Sequence, residues 1–193
     1  MTTLKGLILC GGRSTRMQED KSMIPYHGVP QWQYLYNLVQ AQVPDTYVSF
    51  REDQVIENIP VITDSVEGGG PAVGLLSAHA AFPDAAWFVL ACDLPLISRQ
   101  SIDFLLQHRD ATKDATAFVS PVNHLPEPLI AIWEPSGLQK LKLSFESGKN
   151  CPRKALLQSD YLQIENPWAT EQFNANTPEE KQEAEYAVKH RPH

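Results

Sequence analysis

A polar loop that carries several cations follows the first apolar segment of the chain. Gly11 and Gly12 come directly after the apolar run at residues 7–10. The cations of the loop are Arg13, Arg16 and Lys21. Glycine lets the backbone approach a ligand closely, and backbone N–H groups with fixed cations form a cradle for phosphates. The segment predicts a phosphate-binding loop, although a tight turn with a solvated charged surface uses the same residue types.

A second candidate for chemistry is Asp93, which follows the apolar run at residues 87–92. A carboxylate at the end of a buried strand faces a ligand while its backbone stays rigid. Mg²⁺ prefers such hard oxygen ligands and is commonly held by one or two carboxylates together with substrate phosphates. Asp93 is therefore a candidate magnesium ligand, and the alternative is an ordinary turn or helix-capping aspartate.

Alternating strand and helix patterns must position these residues. Short apolar runs predict strands at residues 7–10, 47–50, 61–62, 87–92, 115–119 and 129–133. Helical spacing predicts helices at residues 31–42 and 71–82, a helix capped by Ser98, a helix around residues 138–145 and a polar terminal helix after residue 177. This order predicts a three-layer α/β/α fold with a mostly parallel, Rossmann-like sheet. Ligands bind beyond the carboxyl ends of such strands, where Gly11, Gly12 and Asp93 should meet.

The composition narrows the classes of protein that fit. The 193 residues, of which 42% are hydrophobic, are typical of one globular domain, and a net charge of −7 argues against a broad nucleic-acid or membrane surface. No stretch approaches the about 18 to 20 apolar residues of a membrane span, so we expect a cytoplasmic protein. Three widely separated cysteines predict buried free thiols.

Residues 9–21 closely resemble the signature LAGGxSxRMGxDK of the molybdenum cofactor guanylyltransferases, a MobA-like nucleotidyltransferase family. Cys10 replaces the usual alanine of that signature, and Gln18 replaces the glycine after Met17. Four further segments resemble motifs of the family in the same order. They are residues 61–65 with 70–75 (D-x…GPLxGL), 92–95 (CDxP), 126–129 (PEPL) and 174–179 (NxNTPE).

The resemblance implies a nucleotide-diphospho-sugar transferase (GT-A-like) fold and assigns roles to particular residues. One domain over 1–193 would have a GTP-binding half at about 1–110, an acceptor-binding half at about 111–180 and a polar tail. The implied catalytic residues are Lys21, Arg16 and Asp93, with Asp93 also the Mg²⁺ ligand. The implied nucleotide contacts are Leu9, Cys10, Gly11, Gly12, Lys21, Asp64 and Asp93. The implied acceptor contacts are Pro126, Glu127, Asn174, Asn176 and Arg153. Ser49 and Arg51 stand where the family usually offers an asparagine.

The implied reaction is transfer of GMP from Mg-GTP to the terminal phosphate of molybdopterin, with release of pyrophosphate. A phosphate nucleophile is already anionic, so no general base is required. The Gly11-Gly12 pair favours guanine over cytosine. The alternatives are CTP as donor, another phosphorylated acceptor, or a catalytically silent nucleotide-binding partner in cofactor assembly. The resemblance also implies brief contacts with proteins that deliver molybdopterin or mature molybdoenzymes, and no nucleic-acid or membrane partner.

Overall fold

The computed structural model describes residues 2–10, 20–50, 58–67 and 69–191. Within them, seven strands form one sheet in the order β3-β2-β1-β4-β6-β5-β7. The strands are β1 (Leu4–Leu9), β2 (Thr46–Phe50), β3 (Val61–Thr63), β4 (Ala86–Ala91), β5 (Ala115–Val119), β6 (Pro126–Trp133) and β7 (Tyr161–Ile164). The α-helices are α1 (Gln31–Gln40), α2 (Pro71–Ala81), α3 (Arg99–Gln107), α4 (Pro135–Glu146), α5 (Pro152–Leu157) and α6 (Pro178–Lys189).

The sheet is mostly parallel, as predicted. Strand β1 pairs in parallel with both β2 and β4, and β6 runs antiparallel to its neighbours β4 and β5. The chain order reverses at β1, because β2 and β3 lie on one side of it and β4 on the other. The region beyond the carboxyl ends of β1 and β4 is therefore the topological switch point, the place where open α/β sheets bind ligands in a cleft.

Both faces of the sheet are covered, which gives the three predicted layers. Helices α1 and α3 cover one face with side chains that include Trp32, Leu35 and Ile102. Helices α2, α4 and α5 cover the other face with side chains that include Leu75 and Leu138. Strand β4 is buried along its whole length. This rigid centre holds the strand ends that carry the candidate site.

Several local predictions are corrected by the structure. Ser98 lies at the N-cap of α3, but its hydroxyl donates to Glu171 instead of capping the helix. Cys151 is exposed, not buried. Strand β6 begins at Pro126, three residues before the predicted start, and β7 and α5 were not predicted as elements. No helix in the described part of the chain is long and apolar enough to cross a membrane.

Candidate functional site

Two neighbouring strand ends form the floor of the candidate site. Cys10 follows β1, and its backbone N–H donates to the carbonyl of Ser49 (3.2 Å) on β2. Cys92 follows β4 and donates to the carbonyl of Leu9 (3.1 Å) on β1. Burial raises the pKa of the Cys10 thiol, with smaller contributions from Cys92 and Asp20. These backbone bonds extend the parallel pairing to the point where the polar loop and the Asp93 segment begin.

Lys21 enters this site from a short 3₁₀ turn (Lys21–Met23). The Asp20 carboxylate caps the turn by accepting from the Ser22 N–H (2.9 Å) and the Ser22 hydroxyl (2.7 Å). The Lys21 ammonium donates to Oδ1 of Asn176 at 2.6 Å, across 155 residues of sequence. A charge-assisted bond of this length holds the cation in a defined place.

Asn176 is itself held by contacts on both sides. The N–H of the preceding residue, Ala175, donates to the Asp93 carbonyl at 2.9 Å. The Glu180 carboxylate accepts from the N–H groups of Asn176 (2.7 Å) and Thr177 (3.0 Å), and the Thr177 hydroxyl accepts from the Glu180 N–H. These bonds form a capping box at the start of α6. The end of β4, the 3₁₀ turn and the start of α6 are thus tied together around Lys21 and Asp93.

Asp93 carries a charge that its surroundings do not fully compensate. Burial raises the pKa of its carboxyl group, the Lys21 ammonium lowers that pKa, and the Glu127 carboxylate raises it. A partly buried carboxylate with an elevated pKa favours an added cation, since a bound cation stabilises the ionised form. The described residues contain no group of three or more His, Cys, Asp or Glu side chains that could hold a metal ion. A single carboxylate of this kind fits a metal such as Mg²⁺, which is commonly held by one or two carboxylates together with substrate phosphates.

Two of the predicted acceptor residues form an ion pair beside Asp93. In the antiparallel register of β4 with β6, Leu90 lies opposite Ile130, so Asp93 and Glu127 lie toward the same end of the two strands. Glu127 accepts from the Arg153 guanidinium at 3.0 Å, and Arg153 Nε also donates to the Pro126 carbonyl at 3.1 Å. Arg153 at the start of α5 is thereby fixed to the beginning of β6, while its side chain stays partly exposed.

Asp64 lies on the other side of the site, after β3. Its carboxylate accepts from the Ser49 hydroxyl at 3.3 Å. Ser49 is buried, and its side chain packs close to Gly74 of α2. A Cβ atom at Gly74 would lie 2.8 Å from Ser49 Oγ, so only glycine fits there without displacing neighbours. Ser49, which the sequence left without a role, orients Asp64.

A buried carboxylate behind the site anchors the segment that follows Asp93. Glu171 is 2% exposed and accepts from Ser98, Gln100, Ser101 and Arg191. The Arg191 guanidinium also donates to the carbonyl of Leu96 at 3.1 Å. Glu171 and Arg191 therefore hold residues 93–98 in place on the side away from the site. Glu171 was not among the predicted residues, because no motif in the sequence marks it.

The structure brings together most of the predicted site residues that it describes. Lys21, Asp93, Asn176, Glu127 and Arg153 form one connected group. Asn174 does not join Lys21, because its amide donates to the Gln172 carbonyl at 3.5 Å. The predictions for Gly11, Gly12, Arg13, Arg16 and Arg51 lie outside the described residues.

The fold and the site together define a class of protein. A lysine and a partly buried carboxylate at the switch point of a mostly parallel α/β sheet are typical of proteins that handle nucleotide phosphates. A family model described as a MobA-like NTP transferase domain matches residues 6–161. The chain belongs to this family of nucleotidyltransferase domains.

Relatives and solved structures agree with that family. A molybdenum cofactor biosynthesis bifunctional protein of Synechocystis sp. is 33% identical over 183 residues, which are 93% of this chain and 53% of that protein. A molybdenum cofactor guanylyltransferase of Yersinia pestis is 33% identical over 135 residues, 67% of each chain. The chain thus spans about half of the Synechocystis relative.

One solved structure shows the same fold over nearly the whole chain. It is a molybdopterin-guanine dinucleotide biosynthesis protein A from Archaeoglobus fulgidus, with a TM-score of 0.78 and 21% identity over 96% of this chain and 98% of that one. The predicted nucleotide-diphospho-sugar transferase fold is confirmed.

Proposed function

We propose that this protein transfers GMP from GTP to the terminal phosphate of molybdopterin. The acceptor phosphate oxygen bonds to the α-phosphorus of GTP, the bond from that phosphorus to the β-phosphate oxygen breaks, and pyrophosphate leaves. The observation that carries the proposal is the Lys21–Asn176 contact of 2.6 Å beside Asp93 at the switch point. The chain's family and its relatives' names support the choice of substrates.

Lys21 supplies the fixed positive charge of the reaction. Two anionic substrates must approach each other, and negative charge builds up on the departing pyrophosphate. An ammonium held in advance by Asn176 offsets that charge without having to reorganise at the moment of transfer. Because the acceptor phosphate is already ionised at neutral pH, positioning and electrostatics account for the catalysis.

Asp93 is the residue that would hold Mg²⁺. When bound, Mg²⁺ would reduce the repulsion between the phosphate groups. Asp93 is well placed for this ligand role because its backbone carbonyl is fixed by Ala175 and its loop is anchored through Glu171. Lys21 lowers the pKa of Asp93 and so favours the ionised form that a cation needs.

The two sides of the cleft would divide the substrates between them. Asp64 and the polar loop belong to the proposed GTP-binding half, at about residues 1–110, where a carboxylate accepts N–H groups of guanine or a ribose hydroxyl. Arg153, Glu127 and the 174–177 segment belong to the proposed acceptor half. The Arg153 side chain stays partly exposed beside Glu127, and a guanidinium there would suit the acceptor phosphate.

Pyrophosphate release with GTP, Mg²⁺ and molybdopterin tests the proposal. Lys21→Ala and Asp93→Ala should each lower kcat/KM by at least about 100-fold, the range found when one preorganised electrostatic group is removed. Lys113→Ala and Asp103→Ala are matched controls, since both residues form surface ion pairs outside the cleft. Near wild-type rates in both site variants would refute the site assignment.

The same assay separates the alternative functions. CTP turnover without GTP turnover would replace the guanylyl assignment by a cytidylyl one. Transfer to a different phosphorylated acceptor would keep Lys21 and Asp93 in place and change only the acceptor half. Nucleotide binding without pyrophosphate release would favour a silent binding partner in cofactor assembly.

A further inference from the structure

Two thiols that are far apart in sequence meet at the floor of the cleft. Cys10 Sγ and Cys92 Sγ are 3.1 Å apart, although 82 residues separate them. The cause is the parallel register of β1 and β4, in which Leu9 lies opposite Ala91 and the next two residues are the cysteines. Both side chains pack on the same core cluster, so they point to the same face of the sheet.

The geometry suits a covalent bond between the sulfurs. Paired strands lie about 4.8 Å apart, which is within the Cα separation of about 4.4 to 6.8 Å that disulfides span. A tetrahedral zinc site would place two thiolates about 3.8 Å apart, farther than these sulfurs, and would need further ligands. No such cluster occurs in the described ranges of the chain. The pair is therefore arranged for a disulfide and not for a metal.

We propose that Cys10 and Cys92 are a dithiol modification site, which a small peroxide converts into a reversible intramolecular disulfide. Cys10 is partly exposed and Cys92 is buried, so the peroxide reaches Cys10 first. Burial raises the pKa of the Cys10 thiol and so keeps it protonated, which makes this oxidation slow. Hydrogen peroxide oxidises the Cys10 thiol to a sulfenic acid and is reduced to water. The Cys92 sulfur then attacks the Cys10 sulfur, the S–O bond breaks, and a second water leaves with the Cys92 proton.

The modification acts on the proposed reaction through the two strand ends. Cys10 precedes the polar loop, and Cys92 precedes Asp93. Forming the bond brings the sulfurs from 3.1 Å to about 2 Å apart. Since displacements of about 1 Å in an active site can cost about 100-fold in rate, we expect at least a tenfold lower rate of GMP transfer in the oxidised protein. This consequence rests on the proposed function, whereas the disulfide itself does not.

The test uses the full chain with Cys151→Ser, because Cys151 is exposed and would otherwise react on its own. The protein is incubated for hours with excess hydrogen peroxide and digested without reduction, and its peptides are analysed by mass spectrometry. We expect a linked Cys10–Cys92 peptide, an intact mass about 2 Da lower, and reversal by dithiothreitol. Cys10→Ala and Cys92→Ala, each made in the Cys151→Ser protein, are the matched controls that cannot form the link.

The rate of GMP transfer is then measured for the Cys151→Ser protein and for its two alanine variants. For each protein, the rate after peroxide treatment is compared with the rate of the same protein in its reduced form. We expect the loss only in the variant with both thiols, with recovery in dithiothreitol. Two free thiols and no linked peptide after oxidation would overturn the site. A linked peptide with an unchanged rate would overturn its control over transfer. If the reduced protein shows no transfer at all, the proposed function fails while the linked peptide still decides the disulfide.

Discussion

The contact between Lys21 and Asn176 makes a quantitative prediction. A hydrogen bond to a charged group contributes about 1.5 to 3 kcal/mol, and each 1.4 kcal/mol changes a rate about tenfold. The 2.6 Å bond is partly buried and lies beside Asp93. We therefore expect Asn176→Ala to lower kcat/KM for GTP by about 10- to 100-fold, because the ammonium loses its fixed position.

A double-mutant cycle identifies the cause of that loss. In a Lys21→Ala protein the Asn176 side-chain amide has lost its partner. Adding Asn176→Ala to that protein should therefore lower kcat/KM by much less than the same change does in the wild type. The coupling energy between the two sites should be about 1.5 kcal/mol or more, measured by pyrophosphate release. Asn37→Ala on the exposed side of α1 is the control, and thermal unfolding verifies that each variant is folded. Additive effects, with a coupling below about 0.5 kcal/mol, would refute the positioning argument.

Four further outcomes follow from the same contacts. Glu180→Ala should lower kcat/KM, because it removes the capping box that holds Asn176. Glu180→Gln should largely restore kcat/KM, since glutamine also serves in a capping box, and equal losses for the two variants in steady-state assays would contradict this. Asp93→Asn should abolish transfer yet raise the Tm. Burial raises the pKa of the Asp93 carboxyl, so its negative charge destabilises the metal-free fold, and a lower Tm of the variant would contradict this. Gly74→Ala should destabilise the protein by about 1 to 3 kcal/mol in urea unfolding, because the new Cβ would lie 2.6 Å from a Leu9 methyl. The better helix propensity of alanine would not offset this clash, and unchanged stability would argue against the packing. Burial lowers the pKa of His79, so at this group the unfolded state binds more protons than the folded state. The His79 contribution to stability should therefore rise with pH up to about 6.5 and then level off, and His79→Gln should remove that part of the pH dependence.

The fold was largely predictable because its central strands are continuous apolar runs. Strand β4 is a run of six apolar residues, all of them buried. A continuous apolar run this short favours a buried strand, because helices are usually longer. Strand β7 was missed for the opposite reason. It is four residues long, is at most half-buried and contains Gln163, so its pairing with β5 decides its conformation and its own sequence does not.

The candidate site was predictable in its residue types but not in its pairs. Lys21 and Asp93 are marked by their chemistry and by the strand ends beside them. The Lys21–Asn176 contact spans 155 residues and depends on how the start of α6 packs against the 3₁₀ turn, which local patterns do not determine. The Thr177–Glu180 capping box, in contrast, has a readable spacing, since a threonine followed three residues later by a glutamate predicts a helix start.

The balance of charge in the cleft explains how an acidic protein could handle a nucleotide. Two carboxylates, Asp93 and Glu127, face two cations, Lys21 and Arg153, so this group has no excess positive charge to attract phosphates. Arg153 pairs with Glu127 while its side chain stays partly exposed, and the pKa of Asp93 stays elevated even with Lys21 nearby. An added divalent cation would stabilise the ionised Asp93 and make the group net positive at once. The overall charge of −7 opposes binding of large polyanions, whereas under the proposed function the cleft would accept a nucleotide that arrives with its metal.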